Sequence, residues 1–155
     1  MGAAASAPQP GTILAANASP LARLRAATGK GDMAAVRELL SAAPAAAFEP
    51  HPGEPETALH ALALAPRVPP PRIAELVAAL LPLTDPLAGG FLGETAVHLA
   101  ARHSNTAFIR ALTAATKGRT AATLLANAAA GRSGTPLLWA LEPWWYAQAG
   151  GVYVK

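Results

Sequence analysis

The chain has 155 residues, of which 52% are hydrophobic, 5% aromatic and 14% charged, and its 12 basic and 9 acidic side chains leave a formal net charge of +3. That length suits one domain, or a short array of units, with a real buried core. The absence of cysteine excludes disulfides, thiolate zinc sites and cysteine nucleophiles, and scattered basic residues without interleaved aromatics argue against nucleic-acid binding.

Residues 1–18 are rich in alanine, proline and small polar groups and read as a disordered arm. Within it, Met1-Gly2-Ala3-Ala4-Ala5-Ser6 fits the N-myristoylation pattern with Gly2 as the acceptor, although a single acyl chain without a polybasic patch anchors only weakly. No charged and then apolar leader is present to read as a secretory signal. Ordered structure is expected from Ser19, a helix cap, and Pro20, which suits a first turn; this helix runs to about Thr28. Gly29-Lys30-Gly31-Asp32 reads as a tight turn, with Asp32 capping a second helix that carries Val36, Leu39 and Leu40 on one face. Pro44 to Glu56 is a connector expected to form a protruding finger.

A third helix is predicted from Thr57 to about Leu64. Pro66-Arg67-Val68-Pro69-Pro70-Pro71 interrupts it, because proline blocks helix continuation and restrains the residue before it. The fourth helix, Arg72 to about Leu81, presents Ile73, Leu76, Val77, Leu80 and Leu81 as an apolar face. The apolar stretch from Ile73 to Leu92 is broken by Glu75, Pro82, Asp85 and Pro86, so it does not read as a membrane span. After a connector from Pro82 to Gly93, two helices are predicted at Thr95 to His103 and Thr106 to Thr116. Thr120 to Ala130 is helix-prone. Thr135 to Leu141 opens a last helix that Pro143 stops, and Trp144-Trp145-Tyr146 with residues 147–155 follows as a tail.

The chain repeats itself. Gly93-Glu94-Thr95-Ala96-Val97-His98-Leu99-Ala100-Ala101, followed by Arg102-His103-Ser104-Asn105 and Phe108-Ile109…Leu112, has a counterpart in Glu56-Thr57-Ala58-Leu59-His60. Thr57 precedes Thr95 by 38 residues, and Thr135 of Gly134-Thr135-Pro136-Leu137-Leu138 follows it by 40. A period of this size belongs to stacked arrays. In each copy the threonine can cap a helix, and a histidine three residues on can share the capping network. Leu138 replaces the histidine in the last copy.

These motifs resemble the ankyrin repeat. The resemblance covers about Ser19 to Glu142, with units near 19–48, 53–83, 91–116 and 131–146, the last one partial. The first unit aligns without gaps if Ala22 stands at the threonine position. The resemblance implies an all-α, ankyrin-type helical solenoid of paired antiparallel helices with long connecting fingers. It also implies that Thr57, His60, Thr95, His98 and Thr135 are structural capping residues. Ala100 and Ala101 are small so that the paired helix can pack over them, and Ile109 and Leu112 close the core.

Enzymatic readings fare poorly. There is no Gly-x-Ser-x-Gly elbow and no pair of carboxylates on one helix face, and Gly89-Gly90 and Gly150-Gly151 lack the pattern of a phosphate cradle. His98 and His103, even joined by His60, have no carboxylate or thiolate at ligand spacing, so neither a metal nor a cofactor is expected. Trp139, Trp144, Trp145 and Tyr146 are read first as a cover for the open end of the stack.

The resemblance therefore implies a non-catalytic module that binds a protein partner of unknown identity through its concave face. The positions it carries over are Lys30, Glu56, Glu94, Arg102, His103, Arg132 and Glu142, whose mixed signs suit a polar, moderately charged protein rather than a polyanion. The expected state is a cytoplasmic monomer, with membrane association only if Gly2 is acylated and a nuclear location also open. Two further readings stand beside this one. A membrane-associated adaptor would be similar to the N-terminal part of certain plant RING-type ubiquitin ligases, although without cysteine this chain carries no RING. A degenerate repeat fragment would have no specific partner.

Overall fold

A computed structural model describes residues 18–116, 134–136 and 140. Over these residues the chain is all-α, and no strand is present among them. Between residues 18 and 116 six α-helices occur in order: α1 (Pro20–Lys30), α2 (Met33–Ala42), α3 (Ala58–Ala63), α4 (Pro70–Leu80), α5 (Ala96–Arg102) and α6 (Thr106–Ala115), with 3₁₀ turns at Ala45–Phe48 and Leu81–Leu83.

Local chemistry explains the boundaries. Ser19 Oγ accepts from Ala22 N at 2.9 Å, and Pro20 occupies the first turn, where its missing N–H is no loss. α1 closes on Gly31 in the left-handed conformation (φ 72°), with Gly31 N–H on Thr28 O and Asp32 N–H on Ala27 O. This pair of bonds satisfies carbonyls that the helix end would otherwise orphan. Asp32 then caps α2 through Ala35 N at 3.0 Å. The same construction recurs at the end of α5. Ser104 N–H bonds Ala101 O, Asn105 N–H bonds Ala100 O, and Asn105 caps α6 through Phe108 N. Here Ser104, with φ 55°, holds the left-handed position that glycine holds in the first copy.

The helices pair in sequence, α1 with α2, α3 with α4 and α5 with α6, and the pairs stack in chain order. One row is α1–α3–α5 and the other α2–α4–α6. Alanines at 27, 58, 63, 96 and 100 are buried and let the first row approach closely. Leu24, Val36, Phe48, Leu59, Leu62, Ile73, Leu76, Val77, Leu80, Val97, Phe108 and Leu112 fill the space between the rows.

Several expectations shift by a residue or two. α4 begins at Pro70 rather than Arg72, because Pro70 and Pro71 supply its first turn instead of delaying it. Phe108, fully buried, closes the core with Leu112, while Ile109 is only half-buried. The first finger is a 3₁₀ turn that plants buried Phe48 against α1, followed by a tight turn in which His51 and Glu54 exchange backbone hydrogen bonds.

Candidate functional site

Thr57 stands just ahead of α3, and His60 is its third residue. Thr57 N–H donates to His60 Nδ1 at 3.1 Å, and Thr57 Oγ1 lies 2.9 Å from the same nitrogen. This is a capping box in which histidine takes the place usually held by glutamate or glutamine. The other ring nitrogen, Nε2, lies 3.0 Å from Glu94 O, the carbonyl just before Thr95. A carbonyl can only accept, so Nε2 carries the proton and Nδ1 is the acceptor. Burial holds the ring below its ordinary pKa of 6.5, against the opposing pull of the Glu94 carbonyl and the charges of Glu56 and Glu94; Arg25 adds to the lowering.

The third helix pair repeats the arrangement. Thr95 N–H reaches His98 Nδ1 at 3.1 Å, Thr95 Oγ1 lies 2.9 Å from it, and His98 Nε2 meets Gly134 O at 3.1 Å. Gly134 is the residue before Thr135, so each histidine links its own helix start to the carbonyl that leads into the next copy. With both ring nitrogens engaged, neither histidine has a lone pair left for a metal or a substrate proton. Thr135 itself is half-buried beside buried Pro136.

The first copy has no histidine, but Arg25 does comparable work. It lies three residues after Ala22, as His60 and His98 lie three after their threonines. Its guanidinium donates to Glu56, the residue before Thr57, and to Glu54 at 3.4 Å, while Ser19 Oγ donates to Glu54 at 2.6 Å. Sequence reading missed Arg25, although aligning Ala22 with the threonines already placed it at the histidine position. Asn105 was also missed. Its Nδ2 donates to Leu62 O at 3.2 Å and Ala63 O at 3.1 Å, tying the start of α6 to the end of α3.

The expected contact residues separate into two groups. Lys30, Arg102 and His103 lie at the C-terminal ends of α1 and α5 and are exposed. Glu56 and Glu94 leave the candidate surface. Glu56 is ion-paired with Arg25, and its side chain retains 18% exposure. Glu94 is 5% exposed, and its carboxylate accepts the Leu92 N–H at 2.7 Å while its carbonyl takes Gly90 N–H at 2.7 Å. It is a loop anchor, and its charge faces its own backbone. Arg132, Glu142 and Gly2, and the aromatic cluster from Trp139 to Tyr146, lie outside the described residues.

Among the described residues, Lys30, Arg67 and Arg102 are exposed cations at these helix ends. Between the ends of α1 and α3 and the proline segment lies a groove of about 500 Å³, lined by Gly29, Lys30, Ala61, Leu64, Arg67 and Val68 among others. Among the described residues no group of three or more histidine, aspartate or glutamate side chains is placed to hold a metal. No described helix is long and apolar enough to cross a membrane. No protein-family model matches the sequence, and neither a curated protein nor a solved structure does.

Proposed function

We propose that the chain is an ankyrin-type repeat protein whose function is to bind a protein partner through the edge formed by the C-terminal ends of α1, α3 and α5. The observation that carries this reading is the doubled bridge, His60 Nε2 to Glu94 O and His98 Nε2 to Gly134 O, each built from the same Thr-x-x-His unit. Bridges of one design between successive copies are what a stacked array requires, since no single helix pair buries its own apolar face. The buried side chains of those copies are committed to packing and capping. The residues free to differ between copies are the exposed ones, with Lys30 on α1, Leu64 at the C-terminus of α3, and Arg102 and His103 on α5. Among the described contact positions Glu94 is buried and Glu56 is engaged by Arg25, and the exposed Lys30 and Arg102 favour an acidic partner.

The test is affinity capture with the full chain, an Arg102→Ala/His103→Ala variant, and an Arg110→Ala control on the second row. The reading requires a protein that wild type and the control retain and the double variant loses, while all three unfold at similar denaturant concentrations. Equal capture by all three would exclude this edge.

A further inference from the structure

We infer that the groove between the ends of α1 and α3 and the proline segment is a docking site for an acidic peptide segment with a bulky aliphatic anchor. This inference rests on the binding reading above and gives the partner its chemistry. The groove is lined by Gly29, Lys30, Ala61, Leu64, Ala65, Pro66, Arg67, Val68 and Pro69 and holds about 500 Å³. No acidic side chain lines it. Its two charges, Lys30 and Arg67, are both exposed cations, and neither takes part in an ion pair among the described residues.

The floor is apolar. Leu64 keeps 43% of its surface, one of few large apolar side chains so exposed among the described residues, and it lines the same groove as the two cations. The wall is fixed in place by the segment that departs from the repeat pattern. Val68 is buried, donates its N–H to Ala65 O at 3.2 Å, and fills the space where a Cβ on Gly31 would stand, 3.0 Å from Val68 Cγ1. Pro66 and Pro69 restrict the backbone on either side. At the matching place after α5, the tight Ser104-Asn105 turn leads directly into α6, and no proline segment of this kind stands there.

An apolar lining with two cations that have no ion pair among the described residues, and without an aromatic side chain for base stacking, fits a carboxylate next to an aliphatic side chain better than a phosphate backbone. A preformed wall also reduces the ordering cost of binding. A second hollow that shares Lys30 is lined by Arg23, Asp32 and Glu38, so its charges are mixed and it lacks the all-cationic lining of this groove.

The test is selection of short random peptides displayed on phage against the full chain. It is followed by affinity measurements with the synthetic peptides on wild type, Lys30→Glu/Arg67→Glu and Leu64→Gln, with unfolding curves to confirm that each variant folds. The expected result is enrichment of an aspartate or glutamate close to leucine, isoleucine, valine or methionine. Each variant then loses about tenfold or more in affinity, and the charge reversal also flattens the salt dependence. Basic or neutral selected sequences, no enrichment at all, or acidic peptides indifferent to both variants would overturn the inference. So would an oligonucleotide that binds wild type as tightly as the peptides do. If selection fails while a protein is still captured through Arg102 and His103, the groove assignment falls and the binding reading stands.

Discussion

His60 and Glu94 are joined across two helix pairs by a hydrogen bond of 3.0 Å between the ring Nε2 and the Glu94 carbonyl. The bond links the first turn of α3 to the residue that precedes Thr95, while the Glu94 carboxylate fixes the loop just before it. Packing, loop shape and helix start are therefore coupled at one residue pair, and the predictions below follow from that coupling and its counterparts.

Stability should depend on pH through His60. Burial lowers the pKa of the folded state beneath the ordinary 6.5, so the unfolded chain takes up the proton first. The stabilisation is fully present above the unfolded value and is lost as pH falls through the folded one. Protonation of Nδ1 also removes the acceptor of the Thr57 N–H. Urea midpoints from about pH 7.5 to about pH 5 should fall more steeply for wild type than for His60→Gln. The glutamine can keep the capping box but not the bridge, and should cost about 1–3 kcal/mol at neutral pH. Parallel pH profiles for the two proteins would contradict this.

Asn105→Ala should destabilise by about 2–3 kcal/mol, because it removes the α6 cap and the side-chain donor shared by the carbonyls of Leu62 and Ala63, of which Leu62 O keeps the Ala65 N–H. Asn105→Asp keeps the cap but turns a charge toward those carbonyls, so it should recover little. Denaturant unfolding of both variants distinguishes this shared role from a simple cap, which aspartate would rescue.

Much of this architecture is legible in the sequence, and the parts that are not have definable causes. The Thr-x-x-His units, the Ser19-Pro20 start and the Asp32 cap follow from residue type and spacing alone. Glu94 reads as a surface charge in the sequence, which does not reveal that the loop turns back at Gly93 (φ 79°) and brings Leu92 N–H to the carboxylate. Arg25 was hidden because a different side chain performs the histidine's job over a different reach. The proline segment reads as an interruption, yet two of its prolines open α4 and Val68 is buried.

Ser104→Gly should stabilise the protein by about 0.5–1 kcal/mol. A left-handed residue with a Cβ is strained, and φ at Ser104 is 55° where the equivalent α1 terminus has Gly31. The gain is reduced by the extra freedom that glycine brings to the unfolded chain. A lower urea midpoint than wild type would show that strain at this turn is negligible.

Thr28→Val should be neutral or stabilising by up to about 1 kcal/mol. Thr28 is fully buried and its Oγ1 has no hydrogen-bond partner, so valine keeps the shape and removes an unsatisfied hydroxyl. Thr28→Ala creates a small cavity and should lose about 1 kcal/mol. The order valine, threonine, alanine in thermal midpoint is the expected outcome, and a marked loss with valine would reveal a polar role for the hydroxyl.

The bridges can be read directly from the ring nitrogens by ¹⁵N-detected NMR of the histidine side chains near neutral pH. His60 and His98 should both show the neutral form with the proton on Nε2, slowed in exchange, and Thr57→Ala and Thr95→Ala should each perturb only the ring of their own pair. A protonated His60, or the proton on Nδ1 in either ring, would contradict the bridges on which the stacking of the helix pairs depends.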